Sequence, residues 1–378
     1  MENAQQDTDY IDWNGFALPF DYGNAEQEYF AIRESCAIFD VTPLRKYRIK
    51  GPEAGAFLDY LLSRPVSTAT NQRSIYVVYC NEDGSVKDDA ILHKYADDDY
   101  LLLPSDIDHS VYFYSLLEQL NIQDISIVDC TYDLHSLAIQ GPMSATVLQH
   151  MGIKGIESLN PFEIQSYPFD SGVMRVTRVG FTADLGYECW FEPELDGAVA
   201  EAVKSARNTL GISIPGYGLT ALDACRLEGG FIVAGWDFST EADPQPGFER
   251  TPFELGLGWM VNLNAGEFVG KRALMEQHES GPGFCLRSFE LGDGRTPEDG
   301  TSVYTMVDGD KVEIGQINCS AWSWGLQATI GNVSVRSQYQ DVEAASFDID
   351  GESLDIRLSQ GPLRKFAVSR QSPAPIYG

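Results

Sequence analysis

Val179-Gly-Phe-Thr-Ala-Asp-Leu-Gly-Tyr-Glu188, running into Cys189-Trp190-Phe191, reads as a glycine-punctuated turn that feeds an aromatic strand. It sets one carboxylate, Glu188, at the mouth of that strand. Gly180 and Gly186 are read as supplying the backbone freedom of a tight loop. A carboxylate beside aromatic walls suits a flat heterocycle, because its two oxygens accept hydrogen bonds from a paired N–H and NH2 edge. The plainer reading is an ordinary hairpin with an exposed acid, since turns are built from these residues.

Working outward, Ser74-Ile-Tyr-Val-Val-Tyr79 is β-branched and aromatic, Asn81-Glu-Asp-Gly84 is a turn, and Ser85 to Lys94 returns as a strand. That strand carries two adjacent acids, Asp88 and Asp89. Alternation sends one to each face, so one is expected in solvent and the other inward. Ile49-Lys-Gly-Pro52 before one helical stretch is echoed by Ile139-Gln-Gly-Pro142 before another, which points to two similarly built halves. Gly218-Leu-Thr-Ala-Leu-Asp-Ala-Cys-Arg-Leu-Glu-Gly-Gly230 predicts a helix closed by a glycine pair. Within it Arg226 stands three residues after Asp223, the spacing of a helix-surface ion pair. Residues 236–250 form a long polar loop with two prolines. After a Gly-Pro-Gly linker at 281–283, short strands with turns predict a small all-β module over roughly 283–370.

The chain has 378 residues, too many for one core, and is 43% hydrophobic and 11% aromatic, enough to fill two or three. Its 26 Lys and Arg against 56 Asp and Glu leave a net charge of −30. That balance argues against nucleic acid and against anionic membrane surfaces as partners, because both select basic patches. Seven scattered cysteines, never in a CxxC pair, suggest neither a disulfide framework nor a zinc site, and a reducing cytoplasm suits them. Met1-Glu-Asn-Ala-Gln-Gln-Asp7 is polar and acidic with no apolar signal core, and no run approaches the ~18 apolar residues of a membrane span.

These pieces, in this order, resemble the glycine-cleavage T-protein (aminomethyltransferase) superfamily, whose members pass one-carbon units to tetrahydrofolate. The carriers are Phe39-Asp-Val41, Gly51-Pro-Glu-Ala54, Cys80-Asn-Glu-Asp-Gly84 with Asp88-Asp89, Gln140-Gly-Pro142 and Gly180 to Glu188. Gly218 to Glu228, Pro252-Phe-Glu-Leu-Gly-Leu-Gly-Trp259 and Phe268-Val-Gly-Lys-Arg-Ala-Leu274 complete them. The resemblance implies an α+β fold, a three-domain cloverleaf of two α+β domains with antiparallel sheets and a C-terminal β-barrel-like domain. It implies a discontinuous folate-binding domain over 1–48 and 132–270, a second domain over 49–131, and the barrel over 280–378. By position, Asp89 matches the catalytic acid near the reactive pterin nitrogen, so Asp88 is expected to be the more exposed of the pair. Glu188 matches the acid that holds the pterin edge, and Tyr76, Arg226, Phe181, Ser105 and Trp259 fall at expected pocket positions.

The chain also departs from the family. Asp40-Val-Thr-Pro-Leu-Arg45 replaces an Asp-Val-Ser-His-Met-Gly-like run, and Cys319-Ser-Ala-Trp-Ser-Trp324 replaces a Ser-Gly-x-x-Ser-Pro-like one. Phe181 stands for a tyrosine, Ala183 stands for a second glycine, and the 236–250 loop looks longer. These changes cluster where the second substrate is expected. They favour a tetrahydrofolate-dependent demethylase that takes a methyl group from a small N-, S- or O-methylated compound. Trp322, Trp324, Trp236 and Tyr79 are candidates to bind that donor, as a cage for a sulfonium or ammonium, a stack on an aromatic ether, or simply core. The alternatives are an aminomethyltransferase acting on a lipoyl carrier protein, and a non-catalytic folate-binding protein. Net charge weighs against the lipoyl carrier, since such carriers are generally acidic and like charges repel.

Overall fold

The computed structural model describes residues 9–377, so the Met1 to Asp7 segment lies outside the described residues. Three β-systems organise the chain. A five-stranded antiparallel sheet is ordered Ile164–Phe169, Gly172–Thr177, Gly186–Phe191, His135–Gln140, Ala37–Asp40. A second is ordered Arg73–Cys80, Val86–Ala96, Asp99–Pro104, Tyr47–Lys50, Ser126–Asp129. Six strands between Phe284 and Ser359 close a barrel whose interior holds Phe289, Ile314, Val333, Phe347 and Ile356. This is the α+β architecture with a C-terminal barrel that the resemblance implied; the domain boundaries drawn on it remain our proposal.

The Gly-Pro echo has a physical basis. Tyr47–Lys50 leads through Gly51-Pro52 into helix Ala54–Leu61, and His135–Gln140 leads through Gly141-Pro142 into helix Ser144–His150. Gly51 (φ 130°) and Gly141 (φ 117°) both take a left-handed conformation, and a Cβ would sit 2.3 Å from the Asp124 carbonyl or 2.5 Å from the Ser35 carbonyl. Each half needs a glycine there to turn a strand into its covering helix.

Each sheet has a helix-covered face and a face turned inward. Tyr187 and Cys189 pack against helices Ser144–His150 and Asp196–Leu210. Val77 and Tyr79 of the second sheet pack against helices Ala54–Leu61 and Ser110–Leu120. The opposite faces meet: Trp190 of the first sheet shares a cluster with Ile91, Tyr95, Leu101 and Leu103 of the second. Helix Leu219–Gly229 packs Leu227 against Cys319 and Ile330 of the barrel. The 231–260 segment lays Ile232, Phe238 and Leu255 over Val78 and Tyr76. The candidate site residues Asp89 and Glu188 lie on the strands that bound this interior. Among the described residues no helix is long and apolar enough to cross a membrane.

Candidate functional site

Asp89 pairs across the hairpin with Val78, and Glu188 pairs with Ala138 and Thr177. Alternation puts Asp89 on the face of Ile91, and Glu188 on the face of Trp190. Since Ile91 and Trp190 share one cluster, both acids lie on the facing surfaces of the two sheets. Each is one pleat period, roughly 7 Å, from that contact.

Tyr76 donates its hydroxyl to Asp89 Oδ2 at 2.7 Å, and among the described residues no other side chain donates to this carboxylate. Burial, and then the neighbouring charge of Asp88, raise the Asp89 carboxyl from 3.8 to about 7. Glu188 is half-buried, and no hydrogen bond reaches its carboxylate among the described residues. Burial alone lifts it from 4.5 to about 7. Beside it, Tyr217 stacks on Phe39 with ring centroids 5.1 Å apart. A desolvated acceptor pair without a donor, next to flat rings, fits a ligand that brings its own N–H edge.

Around Asp89, Trp259 is 64% exposed and its ring lies 6.3 Å from that of Tyr76, with the Arg64 guanidinium 5.4 Å over it. Phe181 is partly exposed and stacks on Phe231 at 5.4 Å. Tyr76, Trp259 and Asp89 are therefore brought together, while Phe181 sits with Ala183 at the turn before Glu188.

Arg226 does pair with Asp223, at 2.6 Å, but not on a helix surface: it is fully buried. Its remaining bonds run to Asp237 (3.0 Å), the Phe231 carbonyl (3.1 Å) and Cys319 Sγ (3.2 Å). With four of its five N–H donors engaged, at most one is left for a ligand. Asp237 also accepts from Asn332 and Asn318, which ties the 236–250 loop to the barrel. It adds to the field on Asp89. Sequence reasoning missed Asp237 because it sits in a polar loop where one acid among several carries no periodic signal.

Other expectations are corrected. Asp88 is not the exposed member of the pair: it is fully buried, because the far side of its strand is covered by helices rather than water. Its carboxylate accepts from Ser105 Oγ (2.6 Å), His109 Nε2 (2.8 Å) and the Asp89 amide (2.9 Å). Ser105 thus serves Asp88. Tyr79 is fully buried edge-on to His109, on the face opposite Tyr76, and cannot meet a donor from the interior. The other three aromatics are dispersed. Trp324 packs on Tyr29 at 5.5 Å, Trp322 is half-buried beside Gly294, and Trp236 is half-exposed over the Arg226 guanidinium. The glycines of the opening stretch also act differently from expectation. Neither Gly180 nor Gly186 is left-handed; a Cβ on either would strike the Gln140 side chain at about 2 Å. The left-handed residue is Ala183, φ 62°.

Known proteins agree with this architecture. Residues 2–265 match the family model described as the GCVT N-terminal domain. A protein of Clostridium botulinum (strain Kyoto / Type A2) named aminomethyltransferase is 28% identical over 365 residues, covering 96% of this chain and 92% of its own. One of the same name from Geobacillus sp. (strain WCH70) is 29% identical over 360 residues, covering 94% and 95%. The crystal structure of glycine cleavage system aminomethyltransferase T from Bartonella henselae superposes with a TM-score of 0.80 at 22% identity, over 95% of this chain and 94% of that one. Relatives that match end to end under the name aminomethyltransferase overturn the demethylase expectation and its small methylated donor. They equally overturn the argument against a lipoyl carrier, which rested on whole-chain charge rather than on the surface that meets a partner. The chain belongs to the GCVT family, the glycine-cleavage T-protein superfamily of tetrahydrofolate-dependent one-carbon transferases.

Proposed function

We propose that this protein is an aminomethyltransferase, which moves the one-carbon unit of an aminomethyl group from a lipoyl-bearing carrier protein to tetrahydrofolate. The observation that carries the reading is similarity along almost the whole chain to proteins of that name. Tetrahydrofolate supplies two nucleophilic nitrogens, and its fit here rests on the unpartnered carboxylate of Glu188. Glu188, ionised, accepts the N–H and NH2 edge of the pterin, with the Tyr217–Phe39 stack as a neighbouring flat wall. Asp89 uses the oxygen that Tyr76 does not hold to orient the reacting amine and take its proton. A base whose pKa is about 7 is matched to that work near neutral pH. In the balanced reaction two folate N–H protons are released; one leaves with the amine as ammonia and the other restores the carrier thiol.

The test is direct. A reduced lipoyl carrier is loaded with formaldehyde and ammonium, mixed with tetrahydrofolate and enzyme, and assayed for methylenetetrahydrofolate and ammonia in equal amounts. Absence of both products, with folate binding intact, would overturn the assignment.

A further inference from the structure

The acid beside Asp89 is held more elaborately than a structural carboxylate needs. Asp88 and Asp89 are consecutive on strand Val86–Ala96, at the point where its neighbour runs out: the ladder to Asp99–Pro104 ends at the Ala90–Pro104 pair. Past Pro104 the chain folds across Asp88 and delivers Ser105 and His109. Asp88 Oδ2 accepts from Ser105 Oγ (2.6 Å), from His109 Nε2 (2.8 Å) and, at 3.4 Å, from Tyr79. Asp88 Oδ1 accepts from the backbone amide of Asp89 at 2.9 Å. The side chains of His109 and Asp88 are 1% and 0% exposed. The imidazole is packed between the rings of Tyr79 (5.3 Å) and Phe113 (5.9 Å).

A satisfied buried carboxylate that merely locks the 105–109 segment would need no bond to the strand it sits on. This one grips the backbone of the residue that faces the substrate. It also acts through space: after burial, the charge of Asp88 is the largest influence raising the Asp89 carboxyl.

We propose that the Asp88–His109 pair is a positioning device for Asp89: His109 and Ser105 hold Asp88 in place, and Asp88 fixes the Asp89 backbone and sets the charge that its carboxylate faces. Both are positioning residues, since neither reaches the interior. The inference deepens the function proposed above and rests on it for the role of Asp89. Other groups bear on the pair. Tyr47, from the adjacent strand, accepts from the His109 amide at 2.9 Å and donates to Asp108 at 2.9 Å. Tyr112 follows His109 on the helix and holds the Lys87 ammonium 4.5 Å over its ring. On the inner face Asp89 meets Tyr76 and the field of Asp237.

The test follows the Asp89 carboxyl carbon by 13C NMR of the full-length protein labelled at aspartate, without folate or carrier. The signal is assigned by its loss in Asp89→Asn. Asp88→Asn should lower the Asp89 midpoint by about one pH unit, because the like charge behind it is gone, and the acidic limb of the kcat profile should move down with it. His109→Ala, which removes a donor to Asp88, should lower kcat, and His109→Gln, which restores one, should recover most of it. A lowered Tm in Asp88→Asn with the Asp89 midpoint unmoved would overturn the proposal and leave a purely structural pair. If Asp88→Asn fails to fold, an unchanged kcat in His109→Ala would overturn it. Because the titration needs no turnover, shifts as stated in a protein without aminomethyl transfer would sink the reaction and spare the device.

Discussion

Two carboxylates on one interior, Asp89 and Glu188, reach about 7 by different routes, and the difference separates their roles. Asp89 already has a donor in Tyr76 and a like charge behind it; Glu188 has only burial. Asp89→Asn keeps size and one acceptor but takes no proton, so kcat should fall by about 10²–10⁴-fold if Asp89 is the base, with folate affinity nearly kept. A single-turnover assay with saturating folate checks this, and full activity would remove Asp89 from the chemistry. Glu188 must be ionised to accept two donors, so tetrahydrofolate should bind more tightly as pH rises through about 7, releasing a proton. Calorimetry in two buffers of different ionisation enthalpy measures that release, which Glu188→Gln should abolish while losing roughly 1.5–3 kcal/mol of affinity. The same raised pKa has the opposite sign for the free protein. The unliganded fold binds the Glu188 proton better than the unfolded chain does, so this contribution to stability is complete below 4.5 and fades as pH rises through about 7.

At the scale of single elements, most strands and helices were legible because their period was. The hairpin around Asn81 to Gly84 and helix Leu219–Gly229 follow from alternation, turn residues and a closing glycine pair. What the pattern could not say is what covers a face. Asp88 reads as an exposed acid on a two-faced strand, and only the helices on that side make it buried. The strands Tyr10–Trp13 and Phe16–Pro19 give no signal of their own, since four-residue strands are too short to show a period. The asparagines that hold Asp237 come from barrel strands more than 80 residues away, a distance no local signal spans. The Gly180-to-Glu188 stretch is the sharper case. Its glycines make room for Gln140, whose amide donates to the Tyr187 carbonyl at 3.3 Å, and the turn itself is carried by Ala183. A left-handed alanine costs about 1 kcal/mol relative to glycine. Ala183→Gly should therefore raise stability by about that amount in urea unfolding, offset in part by a freer unfolded chain. A loss larger than 1 kcal/mol would mean that the methyl packed against Gly229 matters more than the strain.

For the molecule as a whole, the barrel and the first sheet are tied together through one buried carboxylate. Glu228, near the end of helix Leu219–Gly229, is fully buried. It accepts from Tyr29 (2.5 Å) and Arg33 (2.7 Å) of helix Ala25–Glu34 and from Ser323 (2.5 Å) of the barrel, with Arg364 3.5 Å away. Arg33 reaches on to the Thr182 carbonyl (2.6 Å) and Asp184 (3.5 Å), so the hub touches the turn that precedes Glu188. Four groups converge on two oxygens, and all four come from outside the helix that bears them. Removing the charge leaves Arg33 nearly buried against an amide whose NH2 faces other donors. Breaking a buried pair on one side typically costs about 3–5 kcal/mol, and Asp184 and the Thr182 carbonyl still hold Arg33, so Glu228→Gln should lose about 3 kcal/mol. The loss should fall on the junction rather than on the cores, because the groups that hold Glu228 come from helix Ala25–Glu34, the barrel wall and Arg364. Denaturant unfolding followed by tryptophan fluorescence and by far-UV circular dichroism should then separate into two transitions, the barrel parting from the sheets. Tetrahydrofolate should merge them again if its site lies in the interior between them, because a ligand held by both sides stabilises only the joined state. Coincident transitions in Glu228→Gln would show that apolar packing of Leu227 on Cys319 and Ile330 holds the barrel without the hub.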